Sequence, residues 1–170
     1  MKAILISIKP KWVAKILNGE KTIEIRKTMP KCDLPINVYI YCTKEDSLCR
    51  LKDYPKDRYV CEQEFKCNDF PKLDSGYDGK GKIVAKFTLN EITMPFLKDI
   101  TKTSCLTVEE LRNYLKGKPC YAWHIDNLVI FDKPKELSEF KQEWYDCGNN
   151  FHSKPLTKAP QSYMFVEVLV

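Results

Sequence analysis

The sequence predicts an α+β fold, a mixed β-barrel with flanking helices, folded as a single domain over residues 1–170. Three observations predict it. Short stretches of period-two apolar alternation recur along the chain and outnumber the helical ones. The first and last of these strands can pair, which removes exposed edges. A helical apolar stripe follows the first strand, and another lies between later ones. The 44% hydrophobic and 12% aromatic content is that of a folded chain with a core.

The elements follow in order. Ala3 to Lys9 alternates, with Ile4, Ile6 and Ile8 on one face and Leu5, Ser7 and Lys9 on the other. Pro10 sets φ for a helix start. Trp12, Val13, Ile16 and Leu17 then form one stripe, Lys11 and Lys15 lie off it, and Asn18-Gly19 supplies the stop. Residues 21 to 27 read as a strand with Ile23 and Ile25 on its buried face. Ile36 to Thr43 is a third strand, rich in β-branched and aromatic side chains. Residues 44 to 80 lose the aliphatic alternation and read as a long excursion from the core, with a short hairpin around Arg58 to Phe65.

Alternation resumes over Lys82 to Asn90, with Ile83, Ala85, Phe87 and Leu89 inward. Thr107-Val-Glu-Glu110 is a capping box, and Val108, Leu111, Tyr114 and Leu115 form the buried face of the helix that Gly117 ends. Tyr121 to Phe131 is extended, with a break near Asp126-Asn127. A short helix is expected around Leu137, Phe140 and Trp144, and Tyr163 to Val170 closes the chain as a strand.

Charge is unevenly placed. Residues 1–31 carry eight basic and two acidic side chains, a surplus of six, so the remainder sums to −1 of the overall +5. A basic segment on a balanced protein suits a phosphate-bearing partner, or is a solvated lysine-rich face. No apolar run reaches bilayer length and none has the form of a signal peptide, so a cytoplasmic protein without membrane contact is expected. The eight cysteines include no C-x-x-C pair, and Cys42, Cys49, Cys61 and Cys67 match no zinc spacing. Free, partly buried thiols are expected, with no metal site and no cofactor assigned; cysteine-bound metal and a conditional disulfide both stay open as alternatives.

Residues 19 to 27 carry the most chemistry. Thr22, Glu24 and Arg26 share one face of a strand whose other face is apolar, and an acid and a base two residues apart can bond each other or a shared ligand. Lys21, beside the end of the first helix, can hold a phosphate or a carbonyl. Trp12, Tyr41, Trp123 and Tyr163 are core rings or surfaces on which a base stacks. Ser162, just before the last strand, caps or binds.

The register Gly19, Lys21, Thr22, Glu24, Arg26 resembles an ASCH domain of the PUA-like superfamily. Ser7 to Trp12 resembles that family's first strand and helix start, which adds Ser7 and Lys9 to the ligand-binding candidates. Cys105–Leu111, Tyr121–Ile125, Phe131–Phe140 and Ala159–Tyr163 resemble a bacterial and phage-associated branch of small ASCH proteins. His124 becomes a candidate through the second of these segments. The resemblance covers most of the chain except 44–80, a branch-specific insertion that is also a candidate protein-binding surface.

The resemblance implies a PUA-like barrel, a cleft between the first helix and the barrel, and RNA, a nucleotide or a modified nucleoside as ligand. Relatives that hydrolyse N4-acetylcytidine use a lysine corresponding to Lys21 and a threonine corresponding to Glu24. A carboxylate does not replace a hydroxyl nucleophile. The sequence therefore favours a binding module, and the alternative is a small amidohydrolase or ribonuclease with Lys21 and Glu24 as its catalytic pair, Glu24 acting as base on water.

Overall fold

The structure, a computed structural model, describes residues 2–54, 56–62 and 73–168. Seven strands form its main sheet. β1 (Lys2–Ile8) lies at the centre, antiparallel to β12 (Tyr163–Val168) and parallel to β3 (Ile36–Cys42). Outside β3 come β6 (Ile83–Leu89) and β9 (Asp126–Lys135); outside β12 come β10 (Phe140–Tyr145) and β11 (Phe151–Pro155). The order runs β11-β10-β12-β1-β3-β6-β9. The terminal strands therefore pair as expected. Among the described residues no ladder joins β9 to β11, so the pairing gives an open mixed sheet rather than a closed barrel.

The parallel β1–β3 pair requires a crossover. It is made by α1 (Pro10–Leu17) and β2 (Ile23–Arg26). α1 begins with proline in its first turn, and Gly19 follows the helix end at φ +75°, a backbone that side-chain-bearing residues avoid. The stripe Val13, Ala14, Ile16, Leu17 packs onto Ile4, Ile6 and Ile8 with Val38, Ile40 and Phe87 in the first core. Leu5 and Ala3 point the other way, into a second core with Tyr39, Tyr41, Phe140 and Val166. Alternation assigns these faces correctly, yet both are covered, so β1 is buried along six of its seven residues.

β2 pairs with β8 (Tyr121–His124), which also pairs with the short β7 (Ile92–Thr93). After the four-residue α2 (Thr101–Ser104), α3 (Val108–Leu115) covers this small sheet, burying Leu111 and Leu115 against Ile23, Ile25 and Ala122. Its capping box forms as the sequence predicts: Glu110 N–H donates to Thr107 Oγ1 at 3.1 Å, and Thr107 N–H to Glu110 Oε2 at 2.7 Å.

Two expectations are corrected. The helix expected around Leu137, Phe140 and Trp144 is a single 3-10 turn, Leu137–Glu139, followed by strand β10. Glu136 and Glu139 cap each other, but Phe140 is already extended, and its run pairs in register with β11. The second is the hairpin expected within 44–80. β4 (Leu48–Tyr54) and β5 (Lys56–Cys61) form a hairpin earlier than expected, and Leu48, Tyr59 and Tyr77 complete the first core. Residues 63–65 of the expected hairpin, like Cys67, lie outside the described residues.

Asn18, at the end of α1, ties that hairpin down. Its amide donates to Tyr59 O and accepts from Tyr59 N–H, each at 2.8 Å. Gly79 allows the return chain to pass, since a Cβ there would meet Leu48 Cδ2 at 2.8 Å. Buried Arg50 bonds Asp74 at 2.6 Å and Asp132 at 3.1 Å and lies 4.8 Å from the Tyr77 ring centre. Beside it, the Asp74 carboxyl is held below the ordinary range. No helix among the described residues is long and apolar enough to cross a membrane.

Candidate functional site

A cleft of about 810 Å³ opens where the C-terminal end of β1, α1, β2 and α3 meet the turn before β12. Its floor is an ionic network on β2. Lys21 Nζ donates to Ser104 O at 2.9 Å and lies 3.2 Å from Glu24 Oε2. Arg26 Nη2 lies 3.2 Å from Glu24 Oε1 and donates to Ser7 O at 2.8 Å, while Nη1 reaches Ser162 Oγ at 3.4 Å. Lys21, Glu24 and Arg26 are only 3%, 9% and 7% exposed. One carboxylate thus bridges two buried cations on a strand that pairs with β8, Glu24 opposite Trp123 and Arg26 opposite Tyr121.

Local structure explains each position. The tight end of α1 returns the N–H groups of Glu20 and Lys21 to Lys15 O, and this sends the Lys21 side chain back along the helix toward Trp12. The Trp12 ring centre lies 5.7 Å from Lys21 Nζ and 4.9 Å from Lys11 Nζ, within reach of a cation–π attraction. On α3, Tyr114 carries Lys27 Nζ 4.5 Å from its ring centre. Burial pushes the Tyr114 phenol up, and the Arg26 guanidinium pulls it part of the way back. The turn before β12 is pinned to β1: Ser7 Oγ donates to Pro160 O at 2.6 Å and Ser7 N–H to Ser162 O at 2.9 Å.

The cleft is basic on balance, with Lys9, Lys21, Arg26, Lys27 and Lys118 against Glu24, Glu45 and Glu110. Glu45 lies 3.3 Å from Lys9 and offsets that cation within the cleft, while Glu110 serves the α3 cap. Arg26 Nε is buried without a partner among the described residues. An unmade hydrogen bond of this kind is a cost that sites of function tolerate.

Seven of the expected residues line this cleft together: Ser7, Lys9, Trp12, Lys21, Glu24, Arg26 and Ser162. Thr22 does not follow Glu24 and Arg26. It precedes the paired part of β2 and, with His124, lines a separate cavity of about 370 Å³, where His124 Nε2 lies 3.0 Å from Thr93 Oγ1. Tyr41 belongs to the second core and Trp123 to the first, fully buried, so neither presents a ring face to a ligand. Tyr163 packs edge-on against Trp123 at 5.1 Å, away from the cleft.

Sequence reading misses Tyr114, Asn113, Lys118, Thr43 and Gln161 as lining residues. The helical stripe puts Tyr114 on the buried face of α3, but it is 38% exposed. It sits at the edge of the Leu111–Leu115 stripe, where an amphipathic ring covers apolar surface and still meets water. That edge position is the available signal. The others are brought in by the fold alone.

Among the described residues no group of His, Cys, Asp and Glu is arranged to hold a metal ion. Cys32, Cys42, Cys49, Cys105, Cys120 and Cys147 are free thiols, and burial pushes Cys42 up to about 12, which keeps it protonated at neutral pH.

No protein-family model matches the chain, and no curated protein matches it. Solved structures do. An ASCH protein from Zymomonas mobilis is 16% identical with a TM-score of 0.58, over 97% of this chain and 87% of that one. A tyrosine-to-phenylalanine variant of that protein aligns at the same identity and TM-score over 98% of this chain and 91% of the variant. A serine-to-alanine variant does so over 97% and 88%. At this identity the likeness is one of fold, and it spans nearly the whole of both chains. The chain has the fold of an ASCH protein, the family that the register of Gly19, Lys21, Thr22, Glu24 and Arg26 resembles.

Proposed function

We propose that this chain is an ASCH-domain protein on a PUA-like frame, and that the cleft beside β2 binds RNA, a nucleotide or a modified nucleoside. The observation that carries the reading is the Lys21–Glu24–Arg26 network at the floor of an 810 Å³ cleft, with Trp12 and Tyr114 in its walls. A nucleobase edge presents donors and acceptors side by side, and a carboxylate between two cations offers both in fixed geometry. The rings supply surfaces for stacking, and Lys9, Lys27 and Lys118 supply positive charge for a phosphate.

Binding of RNA oligonucleotides and nucleoside monophosphates, followed by fluorescence anisotropy across a salt series, tests this. Lys27→Ala and Lys118→Ala are each expected to flatten the slope of log K against log salt by about 0.7, the share of one phosphate contact on a single strand. Lys21→Met is expected to weaken binding with little change in that slope. Absence of binding across a broad panel, or affinity indifferent to all three changes, removes the proposal.

A second reading makes the same site hydrolytic, acting on an acylated nucleoside or on RNA. It is favoured by the 3.2 Å approach of Lys21 Nζ to Glu24 Oε2, which places a carbonyl-polarising cation beside a potential base. Metal-free protein should then turn over N4-acetylcytidine or an RNA oligonucleotide, and a folded Glu24→Gln variant should not. A wild-type protein inert on both substrates rules this reading out.

A further inference from the structure

The β10–β11 hairpin leaves the body of the protein almost at its base. Among the described residues only Phe140 and Lys141 of the ribbon pair with β12, and beyond them β10 and β11 pair with each other alone. A two-stranded ribbon in water usually presents polar side chains. This one carries aromatic pairs on both faces. Trp144 stacks on His152 across the ribbon, centroids 5.1 Å apart and planes 15° from parallel, and Lys154 Nζ lies 5.1 Å from the Trp144 ring centre. On the opposite face Tyr145 meets Phe151 at 5.5 Å. Trp144, Tyr145 and Phe151 are 37%, 66% and 54% exposed, and none of them joins a core.

The ribbon is also pre-ordered. Asp146 Oδ1 accepts from the N–H groups of Gly148 and Asn150 at 2.9 Å, and Oδ2 lies 2.9 Å from His152 Nε2. That acid is therefore occupied in holding the turn, and Lys154 rests over a ring. Rings interleaved with Lys141, Gln142, Glu143, Ser153 and Lys154, with Glu143 Oε1 accepting from Ser153 Oγ at 3.5 Å, do not make the continuous apolar centre expected of a protein interface. On the face of Trp144 and Lys154 they match the pairing of stacking surface with positive charge that holds unpaired bases. The location fits as well. Leu156–Pro160 connect the ribbon to Gln161 and Ser162 of the cleft, a path of no more than about 20 Å.

We propose that the ribbon is a base-stacking platform for single-stranded nucleic acid, carrying the strand whose terminal or flipped nucleotide occupies the cleft. This rests on the nucleic-acid reading of the cleft. Trp144–His152 and Tyr145–Phe151 offer ring faces, and Lys154 and Lys141 meet phosphates.

The test compares wild type with the triple variant Trp144→Ala, Tyr145→Ala, Phe151→Ala, and with a Trp144→Leu, Phe151→Leu variant that keeps apolar side chains in the ribbon without the rings. Each is titrated with a nucleoside monophosphate, a single-stranded 8-mer RNA and the same 8-mer as a duplex. The single-stranded 8-mer should bind about tenfold or more weakly to both variants, while monophosphate affinity stays the same. The 8-mer should also quench wild-type tryptophan fluorescence in a component that the variants lack. Equal 8-mer affinity in wild type and variants overturns the platform, as does equal binding of the duplex. So does a wild-type dimer that the substitutions dissociate, since the patch would then be a contact between copies. Loss of monophosphate binding in every protein, with the 8-mer difference intact, removes the cleft reading and leaves the platform standing.

Discussion

Glu24→Ala is expected to lower the free energy of unfolding by about 3–5 kcal/mol, the cost of breaking a buried ion pair from one side. Among the described residues Glu24 is the single anion paired with both Lys21 and Arg26, and all three residues are buried. Without it, Lys21 keeps the Ser104 carbonyl and the Trp12 ring, Arg26 keeps Ser7 O and Ser162 Oγ, and two like charges face each other across the vacated position. Lys21→Met should cost less, because it leaves Glu24 and Arg26 as a neutral pair. Urea unfolding gives the comparison as a shift in midpoint at constant slope. Added salt should change the difference little, since buried charges are poorly screened. A Glu24→Ala variant as stable as Lys21→Met would mean that the carboxylate does not hold the network together.

The second large effect lies behind the site. Trp123→Ala is expected to cost about 3–5 kcal/mol, as truncation of a large buried ring does. The Trp123 side chain is fully buried, touches Tyr163 edge-on and sits opposite Glu24 in the β2–β8 ladder. Trp123→Phe should cost distinctly less. It keeps a ring in most of that volume and removes the indole N–H, which finds no acceptor among the described residues. Ligand affinity should be unchanged in Trp123→Phe, since no face of the indole is open. Thermal unfolding and a binding titration on the same preparation check both halves. A Phe variant of native stability that loses binding would assign Trp123 to the ligand rather than to the core.

These expectations also show how far the sequence carries. β1, α1, β3, β6 and α3 are legible because their signals are local: a period, a proline at the first turn, a capping box, a glycine at the stop. The floor of the cleft is legible for the same reason, since Lys21, Glu24 and Arg26 lie within six residues of chain. What closes the cleft is not. Ser7 reaches Pro160 across 153 positions and Asn18 reaches Tyr59 across 41, and neither pairing leaves a mark on the local pattern. β10 hides from a local reading because Leu137, Phe140 and Trp144 fit a helical stripe over a short window, while Phe140–Tyr145 shows no apolar–polar alternation to mark its pairing with β11. Thr22 parts from Glu24 because the ladder of β2 starts one residue later than the alternation does. Tyr41 and Trp123 read as core rings more readily than as stacking surfaces, and the second layer of packing makes both core.

The central claim is that a nucleotide-type ligand occupies the cleft between Trp12 and Tyr114. A titration of isotope-labelled protein with a nucleoside monophosphate, followed by NMR, tests it most directly. The expected result is saturable shift changes at the Trp12 indole, the Ser7 and Ser162 amides and Tyr114, with Thr93 and His124 unmoved. Saturable changes confined to the second cavity, or a spectrum unchanged at millimolar ligand, would contradict it.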